Sequence, residues 1–503
     1  MSRGGPRSGR PSLGLLAPLL LQRLALGEVT STSDNGEPMK SDPPILPGME
    51  LDRLACYRAI QARDARFDGR FFTAVKTTGI YCRPICPARC PKLANVSFYP
   101  SAAAAQTAGF RPCLRCRPEC SPEVGAWRGT SRTVSRALAL ISDGALDDGR
   151  ASVDSLALRL GIGERQLRRL FERHLGASPI AVAQTRRVLL AKQLIHDTNM
   201  RMVDVAFASG FRSLRRFNDT FQKLYGRAPS SLRRETAASA ARGISLTLGY
   251  VPPYDWPAML ESLASQAIPG IESIEGNTYR RTIEVSGARG TLEVTPIAGK
   301  NALRAVVELG DVRALPQVIA RVRSLFDLNS DVCAIGAQLR EDPALAPLVK
   351  ERPGLRVPGA WDAFELATRR VLGDSLERVV AAHGESLESQ AKGLTVFFPR
   401  PERLATADLR RVGLSTERAE SLRALARAVI ADPSLLARNG DLEGTLERLR
   451  TLPGIDELTA HTLAMRALRE PDAFPIGDPS LRARAERWRP WRAYAAQYLG
   501  EVA

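Results

Sequence analysis

Four cysteines spaced Cys82-x3-Cys86, then 26 residues, then Cys113-x2-Cys116, are the residues best placed to do chemistry in this chain. Two close pairs separated by a loop-sized insert can close a tetrahedral thiolate site around Zn2+. Each pair grips the metal from one turn, and the insert brings the turns together. A thiolate held on zinc is also a nucleophile. Cys90 and Cys120 fall outside the pairing by spacing; either is an alternative ligand, but free thiols are the better reading.

The flanking residues narrow the chemistry. They run Phe71-Phe72-Thr73-Ala74-Val75-Lys76-Thr77-Thr78-Gly79-Ile80-Tyr81-Cys82-Arg83-Pro84, then Asn95-Val96-Ser97-Phe98-Tyr99 and Ala108-Gly109-Phe110-Arg111-Pro112-Cys113. This stretch closely resembles the N-terminal zinc domain of the Ada family of adaptive-response regulators. The resemblance implies irreversible uptake of a methyl group from a methyl phosphotriester in DNA, with Cys82 as acceptor and Cys86, Cys113 and Cys116 completing the site. It also implies that Thr78, Arg89 and Arg111 approach the DNA backbone. Methylating one thiolate of a zinc tetrathiolate changes its formal charge from −2 to −1, so repulsion from phosphates falls and affinity for DNA rises. A purely structural zinc knuckle is the competing reading, and the number of matching flanking residues weighs against it.

The elements that must carry this site belong to a long, basic chain. At 503 residues it exceeds one core and predicts three or four domains. A net charge of +17 and a pI near 10.0 point to a polyanionic partner, and arginine, the chief source of that charge, suits phosphate oxygens. No apolar run of about 18 residues is present, which argues against a membrane partner. Residues 1–48 carry scattered arginines and a short leucine-rich run before turning Ser, Asp and Pro rich. That resembles a short signal peptide, yet secretion would remove a thiolate site from DNA. The segment reads as a disordered extension, with Met49 a plausible start. Seven of the eight cysteines lie within Cys56–Cys120, which fits a reducing cytoplasm better than a disulfide scaffold.

From Ser131 to Arg234 the pattern is helical. Val153–Ile162 and Glu164–Phe171 place apolar residues at helical spacing on both sides of a glycine turn, a helix-turn-helix with an arginine-rich second helix. A second copy runs from Val203 through Ser209-Gly210-Phe211 to Phe217 and Phe221. The pair resembles the AraC-type DNA-binding domain, with Leu232 standing where that family often has Tyr. Two reading helices in one chain can enter successive major-groove segments without dimerising. Arg165, Gln166, Arg168, Arg212, Arg215 and Arg216 are the expected contacts, base readers and phosphate clamps not being separable here. A helical adaptor that binds no DNA is the alternative.

After a linker at 236–242, alternating stretches at Ile244–Leu248, Tyr279–Val285, Gly290–Val294 and Ala305–Leu309 predict strands of a half-buried sheet, followed by a helix within Val312–Phe326. The block resembles the N-terminal region of AlkA-type alkylbase glycosylases, and Pro358–Glu365 opens that family's helical part. Leu452-Pro453-Gly454-Ile455 with Thr459-Ala460 is a helix-hairpin-helix signature, whose glycine turn exposes backbone N–H groups to a DNA phosphate. Asp478 matches the family's catalytic aspartate; an ionised carboxylate stabilises the positive charge that develops on the sugar as an N-glycosidic bond breaks. The base must first leave the stack. Leu458 stands where lyase-competent relatives carry Lys, so a monofunctional enzyme is implied. Asp478 before Pro479 and Ser480 also reads as an ordinary helix cap.

Several departures from that pattern predict a retained fold with weakened or lost excision. Asp456 replaces the hairpin's second glycine, and Leu458 and Thr462 stand where aromatics stack on the flipped cationic base. The wedge loop expected after Gly373 is missing, the interval from Asp478 to Trp488 is short, and the chain stops at Gly500-Glu501-Val502-Ala503 where relatives continue. Nothing resembles the Pro-Cys-His-Arg site of the O6-alkylguanine domain, and the histidines (His174, His196, His383, His461) are scattered.

The expected fold class is therefore multidomain α+β. It comprises a zinc-bound α/β domain at 49–125, an all-α double helix-turn-helix domain at 126–236, an antiparallel sheet with helices at 243–357, and an all-α helix-hairpin-helix module at 358–503. The expected function is a cytoplasmic alkylation-response protein, a methyl-accepting activator of transcription fused to a glycosylase. Its expected cofactor is Zn2+. Its partners are alkylated and promoter double-stranded DNA and RNA polymerase. Two alternatives stand beside it: a glycosylase that uses the N-terminal modules for targeting, and a zinc-containing transcription factor without repair chemistry.

Overall fold

A computed structural model describes residues 52–123, 132–147, 152–233, 243–437 and 441–500. The 1–48 extension and the linker at 236–242 lie outside the described residues. Among the described residues no helix is long and apolar enough to cross a membrane.

The zinc module is a four-stranded sheet, β1 (Phe72–Val75), β2 (Ile80–Cys82), β3 (Val96–Tyr99) and β4 (Arg111–Pro112), ordered β3-β1-β2-β4. The hairpin register Thr73↔Cys82 sets Cys82 at the end of β2, and the parallel pairing of Tyr81 with Pro112 brings Cys113 alongside it. Phe71, Tyr81 and Phe110 are buried. Phe71 meets Phe98 edge-on at 5.5 Å and Phe72 meets Tyr81 at 5.8 Å, so the aromatics that crowd the cysteines in sequence form the wall behind them.

The helical region repeats one design. Helix Val153–Arg159 turns into helix Glu164–Leu175, and helix Met202–Ala208 turns into helix Leu214–Tyr225. In each second helix apolar residues four apart are buried, Leu167 with Phe171 and Phe217 with Phe221. The second turn requires glycine: Gly210 has φ +86°, and a Cβ there would sit 2.7 Å from the Asp147 carboxylate. Between the units runs helix Pro179–Asp197, capped by Ser178, whose side chain accepts from the Ala181 N–H.

Five antiparallel strands follow, β5 (Ile244–Gly249), β6 (Glu272–Glu275), β7 (Thr278–Val285), β8 (Ala288–Pro296) and β9 (Ala302–Leu309), ordered β5-β9-β8-β7-β6. The predicted helix is found at Leu315–Leu325. One apolar core runs from the second helix-turn-helix unit, through Leu194, Phe217 and Phe221, into the sheet at Leu246, Tyr279 and Leu292. A separate core organises the helical module around Leu404, Leu422, Leu449 and Leu463. That module also carries a two-stranded hairpin, β10 (Glu385–Ala391) and β11 (Leu394–Phe397), which docks on the larger sheet where Thr282 Oγ1 donates to the Val396 carbonyl at 2.9 Å.

Candidate metal centre and nucleic-acid interface

The four expected cysteines converge: the Sγ atoms of Cys82, Cys86, Cys113 and Cys116 all lie within 4.8 Å of one another. Cys113 and Cys116 are buried, whereas Cys82 and Cys86 are half-exposed. Cys90 is exposed and Cys120 buried, and neither joins the cluster. The donor set is all sulfur, the chemistry that suits Zn2+. Crowding makes the protons interdependent: Cys113 is held ionised by hydrogen bonding from Cys116, whereas Cys82 is pushed up by its bond to Cys113. A divalent cation is what allows all four to ionise together.

The sulfurs are not equivalent. Arg83 N donates to Cys116 Sγ at 3.3 Å, Arg115 N donates to Cys113 Sγ at 3.3 Å, and a backbone N–H at Ala88 supports Cys86. No backbone N–H donates to Cys82 among the described residues, so its sulfur keeps the most electron density and is half-open to solvent. The turn that carries it is held by Arg83, whose guanidinium donates to the buried Asp68 carboxylate (Nε to Oδ1, 2.9 Å) and to the Cys116 carbonyl at 3.2 Å. That clamp is a residue pair the sequence did not single out.

Around the cluster, Thr78 is exposed in the turn between β1 and β2, Arg89 is exposed in the loop between the cysteine pairs, and Arg111 lies on β4 beside Ile80. On the first reading helix Arg165, Gln166 and Arg168 are exposed, with Arg168 bonded to Glu164. On the second, Arg212 just before the helix and Arg215 and Arg216 within it are exposed, and Arg215 is 3.8 Å from Asp219. These arginines stand free of buried partners, the state in which a phosphate or base edge can recruit them.

The zinc module is seated on the linking helix Pro179–Asp197. Three residues past Cys116, Glu119 forms a fully buried ion pair with Lys192, and Arg117 pairs with Asp197 at 2.6 Å. Burial raises the Glu119 carboxyl, but Lys192 and Arg117 outweigh it and hold it below the usual range.

In the helical module Gly454 takes φ +77° in the hairpin, as the turn requires. Asp456 then caps helix Glu457–Arg466, its carboxylate accepting from Thr459 N at 2.8 Å. A side chain therefore occupies the helix N-terminus that a phosphate would approach. Asp478 is exposed and caps helix Pro479–Ala485, accepting from Ser480 N and Oγ, both at 2.7 Å. The Ser480 bonds hold its carboxyl below the ordinary aspartate value. Leu458 is 45 % exposed on the hairpin helix. Helix Ala363–Leu372 passes to helix Leu376–His383 through one 3-10 turn, Gly373–Ser375, where the wedge loop would stand.

Comparison with known proteins follows the same order along the chain. Residues 55–119 match the family model described as the metal binding domain of Ada, residues 156–235 a helix-turn-helix domain, and residues 245–362 the AlkA N-terminal domain. A Mycobacterium tuberculosis protein described as a bifunctional transcriptional activator/DNA repair enzyme AlkA is 41% identical over 483 residues, 90% of this chain and 96% of its own. DNA-3-methyladenine glycosylase 2 of Escherichia coli is 32% identical over 277 residues, 50% of this chain and 95% of its own. The solved methylated N-Ada/DNA complex is 34% identical, covering 27% of this chain and 99% of that one, with a TM-score of 0.14.

Proposed function

The chain belongs to the family of bifunctional transcriptional activator/DNA repair enzymes AlkA, and from that premise we propose which residues perform each task. It joins an Ada-type methyl acceptor, an AraC-type DNA-binding region and an AlkA-type glycosylase, and its repair activities are those of methylphosphotriester repair and 3-methyladenine excision. Its cofactor is Zn2+, for which Cys82, Cys86, Cys113 and Cys116 are the ligands; bound there, the ion keeps the sulfurs as thiolates at neutral pH.

Cys82 is the acceptor. Its Sγ lone pair attacks the methyl carbon of a DNA methyl phosphotriester, the C–S bond forms as the C–O bond breaks, and the phosphodiester leaves as an anion. The thioether product has no route back, so each chain acts once. The observation that carries this reading is the half-open Cys82 sulfur, without a backbone donor, beside three sulfurs that have one. Thr78, Arg89 and Arg111 position the DNA backbone. With the cluster's charge reduced, the arginines of both reading helices engage promoter DNA, and RNA polymerase is the partner that activation serves. The chain works in the cytoplasm.

In the glycosylase half Asp478 is the catalytic carboxylate, and excision is slow. Asp456 takes up the Thr459 N–H at the start of the hairpin helix with its own carboxylate, and Leu458 and Thr462 offer no ring to a cationic base.

Mass measurement of the zinc-loaded chain after exposure to methyl-phosphotriester duplex tests the first assignment. A net gain of about 14 daltons, a methyl group on sulfur in place of the thiol hydrogen, is expected in the unaltered chain and absent from Cys82→Ser. Uptake that survives Cys82→Ser overturns the assignment.

A further inference from the structure

A cavity at the seam between the five-stranded sheet and the helical module gathers more positive than negative charge. Glu272, Arg281, Trp361, Glu365, Arg369 and Arg466 line it. Two of the three guanidiniums are answered: Arg281 reaches Glu365 at 2.7 Å, and Arg369 reaches Glu365 at 2.7 Å and Glu272 at 2.5 Å. The third is not. Arg466, the last residue of the hairpin helix, donates to the Pro358 carbonyl at 3.3 Å, to the Gly359 carbonyl at 3.5 Å and to the Gln266 amide oxygen, and to no carboxylate. It is 5% exposed. The acid that acts on Arg466 across the cavity, Glu272, is committed to Arg369 and to the Tyr279 hydroxyl, and Asp362 is committed to Arg321 at 3.3 Å.

A second observation points into the same space. The Trp361 indole N–H, equally buried, has no acceptor. A buried donor without a partner and a buried cation without a counter-charge are each unfavourable, and one small acceptor of negative charge relieves both.

We propose that this cavity binds a single small monovalent anion of the halide class, held between the Arg466 guanidinium and the Trp361 N–H. A water molecule would satisfy the indole but leave the excess positive charge. A metal cation is opposed by that same charge, and the free space accommodates about one water-sized sphere, too little for a phosphate ester. Burial, reinforced by the Arg369 and Arg370 guanidiniums, pulls Arg466 down to about 9, opposite to its paired neighbours Arg281 and Arg369. The anion braces the seam: Gln266 follows the sheet module's helix Trp256–Ala264, Trp361 opens the helical module, and Arg466 ends the helix whose other end is the DNA-facing hairpin.

Thermal unfolding of the full zinc-loaded chain, without DNA, tests this at constant ionic strength in sodium gluconate against sodium chloride or bromide. The expected result is a saturable halide-specific rise of about 2 °C or more, lost in Arg466→Met and reduced in Trp361→Phe. Should Arg466→Met fail to fold, bromide anomalous scattering from crystals of the unaltered chain gives the same answer directly. A peak within hydrogen-bonding distance of Arg466 and Trp361 supports the site. Water alone at that position, unfolding indifferent to halide, or a halide increment that persists in Arg466→Met overturns it.

Discussion

Cys82 and its three neighbours share a cluster but not an environment, and the difference is a matter of single hydrogen bonds. Each N–H···S contact withdraws charge from a thiolate, so the sulfur without one is the better nucleophile. A similar single-residue economy governs the two aspartates of the glycosylase half. Because Asn caps helices as well as Asp, Asp478→Asn leaves helix Pro479–Ala485 in place while removing the negative charge. Excision of 3-methyladenine from alkylated duplex should therefore fall by about 100-fold or more with an unchanged melting temperature; excision that survives the substitution would mark Asp478 as a cap alone. Asp456→Gly makes the complementary case. Replacing the cap by Gly loses only a few tenths of a kcal/mol of stability, and removing a negative charge from the hairpin should tighten non-specific duplex binding about 3-fold to 10-fold at about 0.1 M salt, read by fluorescence anisotropy. At this scale the sequence was readable where spacing encodes the site, as with the cysteine pairs. It was not where a partner lies far along the chain: Asp68, which clamps Arg83, is separated from it by 15 residues and has no motif of its own. Asp456 with Thr459 did carry a local signal, an N-cap acid three residues before its N–H donor.

At the scale of elements, the doubled helix-turn-helix was legible because buried residues recur at helical spacing, and the large sheet because β5, β7, β8 and β9 alternate. The hairpin β10–β11 was not, since Glu385–Ala391 is polar and is ordered by pairing with β11, which itself packs against β7, rather than by a pattern of its own. The charge cluster at that sheet–helix seam was also invisible, its members standing as far apart as Glu272 and Arg369. It makes a pH prediction. Burial raises the Glu272 carboxyl, but Arg369 and Arg281 overcome this and bring it to about 2 in the folded chain, against about 4.3 for a free glutamate. A depressed carboxyl contributes stability that is present in full above the unfolded value and is lost as pH falls towards the folded one. Unfolding by urea should show this loss, on the order of 3 kcal/mol, between about pH 4.5 and about pH 2. Glu272→Gln should be less stable at neutral pH and flatter across that window.

For the whole molecule, a net charge of +17 and exposed arginines on two reading helices require that DNA affinity be steeply salt-dependent. If six to ten phosphates are neutralised, raising salt from about 50 to 200 mM should weaken promoter binding by roughly 1,000-fold to 100,000-fold. The methylated chain should bind more tightly than the unmethylated one at every salt concentration, as measured by titration on one duplex. A methylated form that binds no better would separate repair from signalling.

The apolar core that unites Phe217 and Phe221 with Leu246 and Tyr279 has a practical outcome for anyone who would dissect this protein. A protease site engineered into 236–242 would sever the polypeptide without parting its pieces, which should co-elute from a sizing column. Expressed separately, each fragment would present a greasy wound and precipitate. Regulator and repair enzyme are thus graft and stock, and an injury to the sheet should silence the promoter too.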